Sequence, residues 1–253
     1  MGVKTVQFEE TDGYVRNRFS NGVTNTFTTE ILQSFCDAVE RAKTGRRGIL
    51  LYGGEKIFSN GVDVEWALTQ SRSEVHDLFM TLGGALLQLL EYHRPVVGAI
   101  RGHAAGAGCA IFLACDYRYA AAGRVLIGKP EVLIGVPNPY YGDQLLRFLA
   151  GDKIASDLIY TGRMIEAESP VGRHLVHEIG PMDQIEDMAR DRMFSLLKLS
   201  PEAFMESKHM RLGKFCADLR EQVSARVARQ VEIWCSEEAQ SRLHTAAARL
   251  KRN

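Results

Sequence analysis

The sequence lacks any run of about 18 apolar residues, so no membrane-spanning helix is expected. Its opening, MGVKTVQFEE, has no apolar signal-peptide centre. It also lacks the Ser or Thr at the sixth position that myristoylation favours, and its last residues, Lys251, Arg252 and Asn253, are no peroxisomal address. There is no surplus of either charge: 31 Lys and Arg balance 31 Asp and Glu. A nucleic acid or an anionic membrane surface would favour a basic excess, so neither is an expected partner. Cysteine is sparse. Cys36, Cys109, Cys115, Cys216 and Cys235 are odd in number and form no C-x-x-C pair. That argues against a disulfide framework or a zinc site and for a reducing, cytoplasmic setting. Internal repeats and low-complexity linkers are missing too.

What remains is an ordinary globular composition: 253 residues, 45% hydrophobic and 25% charged, enough to bury a sizeable core. In the first half, strand-like and helix-like segments alternate. Residues 14–19 read as a strand and Asn21-Gly22 as a turn. Thr28 or Thr29 can cap a helix with Glu30 in its first turn and Ile31, Leu32, Phe35 and Val39 on one face. The runs 48–54 and 95–100 read as buried strands. Residues 74–92 form an amphipathic helix with Val75, Leu78, Phe79, Leu82, Leu86 and Leu89 on its stripe. Residues 105–115 look like a core helix. This order predicts an α/β fold with parallel βαβ units.

The second half is mainly helical, over 142–150, 153–160 and from Gln184 almost to the end. Phe215, Leu219, Val223, Val227, Val231 and Trp234 form one apolar stripe, to be buried on the chain's own core or on a neighbouring subunit.

Three segments carry chemistry: FSNGVDVEWA (58–67), GHAAGAGCAIFLACDYRYA (102–120) and GKPEVLIGVPNPYY (128–141). The first two each place a glycine-containing loop between an apolar strand and a helix. Such a loop leaves N–H groups free at a helix N-terminus, and two of them side by side could hold a developing oxyanion. Either loop alone is commonplace in α/β proteins. The glycine spacing at 102–108 matches neither a dinucleotide fingerprint nor a Walker loop. His103 reads as a packed or structural imidazole, Cys109 as a buried thiol, and Asp63 and Asp116 as caps or salt-bridge partners. For Glu131 two readings stay open: an ordinary loop charge, or a buried carboxylate tuned by the apolar run that follows it.

Together with LIYTGRMIEAESPVGRHLVHEIGP (158–181), these segments resemble, in order, spacing and wording, the crotonase (enoyl-CoA hydratase/isomerase) superfamily; Pro170 and His174 depart from its pattern. The resemblance implies a crotonase-like spiral of ββα units over 1–195 and a C-terminal helical oligomerisation region over 196–253. It further implies an acyl-CoA substrate, a homotrimer or dimer of trimers, and work in fatty acid metabolism. Position by position, it places the oxyanion-hole donors at the amides of Val62 and Ala107 and the catalytic carboxylate at Glu131. Ser59, Asn60, Gly61, Asp63, Trp66, Gly106, Ala110, Pro139 and Tyr140 become substrate-binding candidates. Hydratases of the family use two glutamates, and Ala110 stands where the first would be. One remaining carboxylate suits a Δ3,Δ2-enoyl-CoA isomerase. No metal and no cofactor is implied, coenzyme A being part of the substrate. The alternatives are another crotonase reaction (hydration, decarboxylation or hydrolysis, with Tyr140, Tyr141 or Asp143 assisting) and a non-catalytic CoA-binding protein. CoA contacts are expected around Asn25 to Phe27, with Lys251 and Arg252 as candidates for a phosphate.

Overall fold

The computed structural model describes residues 5–250, so Lys251 and Arg252 lie outside the described residues. Strands β1 (Thr5–Glu10) and β2 (Tyr14–Ser20) form an antiparallel pair. Helix α1 (Thr29–Thr44) follows, capped by the Thr28 side chain accepting from the Ile31 amide, with Glu30 at its positive end. Next come β3 (Gly48–Tyr52), β4 (Ile57–Ser59), the one-turn α2 (Val64–Ala67) and α3 (Arg72–Leu90). A reciprocal Ser71–Glu74 capping box starts α3. The chain continues through β5 (Val96–Ile100), β6 (His103–Ala105), α4 (Ala107–Leu113), β7 (Tyr117–Ala121), β8 (Leu126–Gly128) and a 3-10 turn at Pro130–Ile134. Beyond it lie α5 (Tyr140–Ala150), α6 (Asp152–Thr161), β9 (Met164–Glu166), β10 (Glu178–Gly180), α7 (Ile185–Leu197), α8 (Pro201–Trp234) and α9 (Glu237–Leu250).

Two sheets emerge. One has six strands in the order β1-β2-β3-β5-β7-β10, and the other four in the order β4-β6-β8-β9. Apart from the antiparallel β1–β2 and β8–β9 pairs at their edges, both sheets are parallel. In each of the pairs β3/β4, β5/β6 and β7/β8 the first strand joins the large sheet and the second the small one. The chain thus winds as the spiral of ββα units that the sequence led us to expect. The corners between the sheets are tight: a Cβ on Gly102 would sit 2.2 Å from the Lys56 backbone. The continuous apolar runs at β3 and β5 follow from burial on both faces.

The apolar stripe of α8 is covered by its own chain. Leu219, Val227, Val231 and Trp234 are buried, Phe215 and Val223 are partly so, and Trp234 meets Phe79 of α3 edge-on with ring centroids 5.6 Å apart. Nearer the start of α8 the buried Lys208 ammonium donates to the Leu89 carbonyl (3.0 Å) and pairs with Asp116 (2.8 Å), fixing the helix against the end of α3 and the start of β7.

A chain of aromatic rings backs the two strand-to-helix loops. Phe19 of β2 touches Phe27, Phe35 and Phe58 at 4.9, 5.3 and 5.6 Å, and Phe58 touches Phe112 of α4 at 6.1 Å. All five are fully buried. Phe58 sits where β4 leads into the first loop. Phe58→Ala is therefore expected to cost about 3–5 kcal/mol, read as a lower urea midpoint with an unchanged slope. A loss under about 1 kcal/mol would show that the ring is not part of a close-packed core.

Candidate active site

The first loop is held open by a short parallel bridge. The Phe27 N–H donates to Gly61 C=O (2.7 Å) and the Asp63 N–H to Phe27 C=O (2.9 Å), which pairs Phe27 with Val62. In that pattern the Val62 N–H itself points away from Phe27. Ser59, fully buried, donates its hydroxyl to Asn25 C=O (2.7 Å) and accepts from the Gly61 N–H (3.1 Å). Asp63 caps α2 by accepting from the Trp66 amide and also accepts from the Thr26 hydroxyl. These bonds make the loop rigid before any ligand arrives.

The second loop ends at Gly106, whose φ of +56° and ψ of −123° suit glycine, and α4 starts at Ala107. As the first helical residue, Ala107 has no intrahelical acceptor for its N–H. The two loops meet at Gly61. Its φ is +84°, and a Cβ there would stand 2.7 Å from the Ala107 nitrogen. Among the described residues neither the Val62 nor the Ala107 amide has a hydrogen-bond partner.

Val62 and Ala107 both line a cavity of about 70 Å³. Asn60, Val62, Gly106, Ala107, Glu131 and Pro139 line it, joined by Val64, Phe79, Leu82, Pro130, Ile134, Val136, Gln230 and Trp234. Among the described residues Glu131 is the one ionisable group on this wall; the other side chains are mostly apolar, with Asn60 and Gln230 as neutral polar exceptions. Its side chain is 13% exposed, and its Oε2 is buried without a partner. Its Oε1 accepts from Lys129 Nζ at 2.7 Å. Lys129 is 1% exposed and also donates to the Gly106 carbonyl at 2.9 Å. The apolar setting expected of Glu131 is thus only part of its surroundings; a buried ammonium touches it.

The other expected site residues fall elsewhere. Ser59, Gly61 and Asp63 shape the first loop from behind the cavity. Trp66 is partly buried against the core and is not on the wall. Ala110 is buried within α4, its amide donating to Gly106 C=O. Tyr140 lines a separate, more open pocket under the Arg226 guanidinium. Asn25 and Phe27 are buried, with Asn25 Nδ2 on Ile57 C=O, so they knit the loop together.

Several acid–base candidates are accounted for structurally. His103 Nδ1 accepts from the Leu126 N–H (3.0 Å), and burial lowers its pKa. Burial pushes the Cys109 thiol up to about 12, outside the range of a nucleophile. Tyr141 is buried with its hydroxyl toward Phe79 C=O, and burial, then the Glu131 charge, hold its pKa well above the ordinary value. Asp143 pairs with Arg147. Among the described residues no cluster of three or more His, Cys, Asp or Glu could hold a metal ion, and no helix is long and apolar enough to cross a membrane.

The arrangement brings Val62, Ala107 and one carboxylate together around a small, mostly apolar cavity. A family model described as enoyl-CoA hydratase/isomerase matches residues 13–250. The chain belongs to the enoyl-CoA hydratase/isomerase family.

Among its relatives, it is 31% identical over 175 residues to the Homo sapiens peroxisomal bifunctional enzyme, covering 68% of this chain and 23% of that one. It is 33% identical over 132 residues to crotonyl-CoA hydratase of Syntrophomonas wolfei, covering 52% and 50%. The chain therefore spans about a quarter and a half of these two relatives. In fold it is similar to human mitochondrial Δ3-Δ2-enoyl-CoA isomerase, with a TM-score of 0.93, 22% identity and 98% of each chain covered.

Lys129, Gln230 and Asn138 (whose amide atoms are buried without partners) carried no signal in the sequence. Phe79 and Trp234 were legible only as members of apolar stripes. The Lys129 contact has a consequence for mutagenesis. Glu131→Ala would leave a buried ammonium without its counter-charge, at an expected cost of about 3–5 kcal/mol in urea unfolding. Glu131→Gln, which retains an acceptor oxygen, should lose clearly less. Equal losses would mean that Lys129 does not depend on this partner.

Proposed function

We propose that this family member shifts the double bond of a 3-enoyl-CoA to the 2-position, as a Δ3,Δ2-enoyl-CoA isomerase. The observation that carries the reading is the single carboxylate of the cavity. Glu131 alone can exchange a proton there, and at Ala110, where the resemblance puts the first of the hydratases' two glutamates, there is a buried methyl group. Hydration needs a water molecule held and activated, a task those enzymes divide between two carboxylates. Moving a double bond needs one group that takes a proton and returns it.

In this mechanism the thioester oxygen sits between the Val62 and Ala107 amides. The Glu131 carboxylate removes a proton from C2. The C–H electron pair becomes the C1–C2 double bond of an enolate, and the charge on oxygen is met by the two preorganised N–H groups. The enolate then collapses to the conjugated thioester. The C2–C3 double bond forms, the former C3–C4 π pair takes the proton from Glu131 at C4, and the carboxylate is regenerated. No electrons are gained or lost overall, so no redox carrier enters. The aromatic and aliphatic wall suits an acyl chain and keeps bulk water from quenching the enolate.

Incubation with 3-hexenoyl-CoA and, separately, with 2-hexenoyl-CoA tests this. The expected result is conjugation of the first, seen as rising enoyl-thioester absorbance, and no hydration of the second. Glu131→Gln should lower kcat by at least about a thousandfold, since the only proton carrier is gone. The relatives named as hydratases make the opposite outcome concrete: hydration of 2-hexenoyl-CoA at a comparable rate would overturn the reading.

A further inference from the structure

We propose that Lys129 is a positioning residue for this site, tying the proton-carrying carboxylate to the turn that presents the Ala107 amide; the inference builds on the isomerase reading above. The ammonium is 1% exposed and bridges two atoms, Glu131 Oε1 at 2.7 Å and the Gly106 carbonyl at 2.9 Å. Gly106 directly precedes Ala107, and its own N–H donates to the Gly128 carbonyl at 3.0 Å. Both polar atoms of Gly106 are thus held by the Gly128–Lys129 segment, which also carries Glu131. One cation fixes the distance between base and oxyanion donor.

The bridge also divides the two carboxylate oxygens. Oε1 is occupied by Lys129, while Oε2 is buried and unpartnered. A single oxygen is therefore left to take the proton and to return it. The fold makes room for this cation: a Cβ on Gly142 of α5 would stand 3.1 Å from Lys129 Nζ and 3.0 Å from Asn138 Oδ1.

The other groups packed around Glu131 supply no competing charge. Cys109 of α4 and Tyr141 of α5 both have their pKa raised, chiefly by burial, so they stay neutral in the working range. From α8 the wall receives Gln230 and Trp234, which do not titrate. Arg242 of α9 packs on Gly135 and pairs with Glu238. Lys129 is the charged side chain in contact with Glu131 among the described residues. An adjacent ammonium favours the ionised carboxylate, and an apolar wall disfavours it. Taking the cation away removes the counter-charge that holds Oε1, so the pH dependence of turnover reads out the bridge.

The test is the pH profile of 3-hexenoyl-CoA isomerisation by wild type, Lys129→Gln, Lys129→Arg and Gly142→Ala, with thermal melts alongside. For Lys129→Gln the low-pH limb of kcat/KM should move up by about one pH unit or more, and kcat should fall about tenfold or more with KM within about twofold. Lys129→Arg, which retains the cation, should restore the limb. Gly142→Ala, which presses on Nζ from α5, should move it in the same direction by less, and serves as the decisive variant if Lys129→Gln does not fold. A purely structural lysine would lower the melting temperature and leave the limb in place; a limb that coincides with wild type in Lys129→Gln, or in Gly142→Ala where that must stand in, overturns the inference. If wild type does not isomerise 3-hexenoyl-CoA at all, the isomerase reading falls. Carbon-13 NMR titration of the Glu131 carboxyl in wild type and in the same variant then decides the Lys129 bridge without turnover: an upward shift supports it and coincident curves overturn it.

Discussion

The site depends on one backbone-to-backbone contact, the approach of Gly61 to the Ala107 nitrogen. A side chain at Gly61 would have to begin 2.7 Å from that nitrogen, so only glycine lets the two loops close on each other. Everything around the contact serves to hold it. The Phe27–Val62 bridge, the Ser59 hydroxyl and the Asp63 cap stiffen the first loop, and Gly106 turns the second into α4. The chain of phenylalanine rings lies behind both. Among the described residues two amides are thereby left without a protein partner, and a buried N–H group left unmet is costly.

The interior is also organised by buried cations that satisfy carbonyl oxygens. Lys129 reaches Gly106, Lys208 reaches Leu89, and Arg118 donates to the carbonyls of Leu175, Leu113 and Cys115. Each joins segments far apart in sequence. Burial draws Arg118 down to about 10, which still leaves it charged at neutral pH. A charged donor is more costly to bury than a neutral one, but it binds its acceptors more strongly and in a fixed direction. Two of the three also meet a carboxylate, Glu131 or Asp116. The polar interior thus specifies how the turns of the spiral stack, a task that apolar packing alone performs loosely.

How far this could be read beforehand varied with the physics of each element. Long amphipathic helices were legible because periodicity averages over many residues: the stripes on α1 and α3 fell where the spacing put them. The strands of the small sheet were not, since β4, β6, β8 and β9 are three residues each, too short for any alternation to show. The two loops and Glu131 stood out through glycine content and family resemblance, and the structure gathers Val62, Ala107 and Glu131 around one cavity. Lys129 escaped notice because Lys-Pro-Glu reads as a run of solvated loop charges; only tertiary packing buries it. Trp66 and Tyr140 show the converse, aromatic residues beside the motifs that the fold turns away from this cavity.

Helix α8 gives the cavity a long-range reference point. From the residue where it is clamped, Lys208, to the Trp234 ring in the cavity wall it runs about 40 Å. A continuous helix transmits rotation as well as length, about 100° for every residue added or removed. The cavity wall is therefore indexed to an anchor in the N-terminal part of the same helix, much as a key's bit is indexed to its shoulder. Drift in this chain's sequence can alter the surface of α8 freely, but its residue count between clamp and wall is locked.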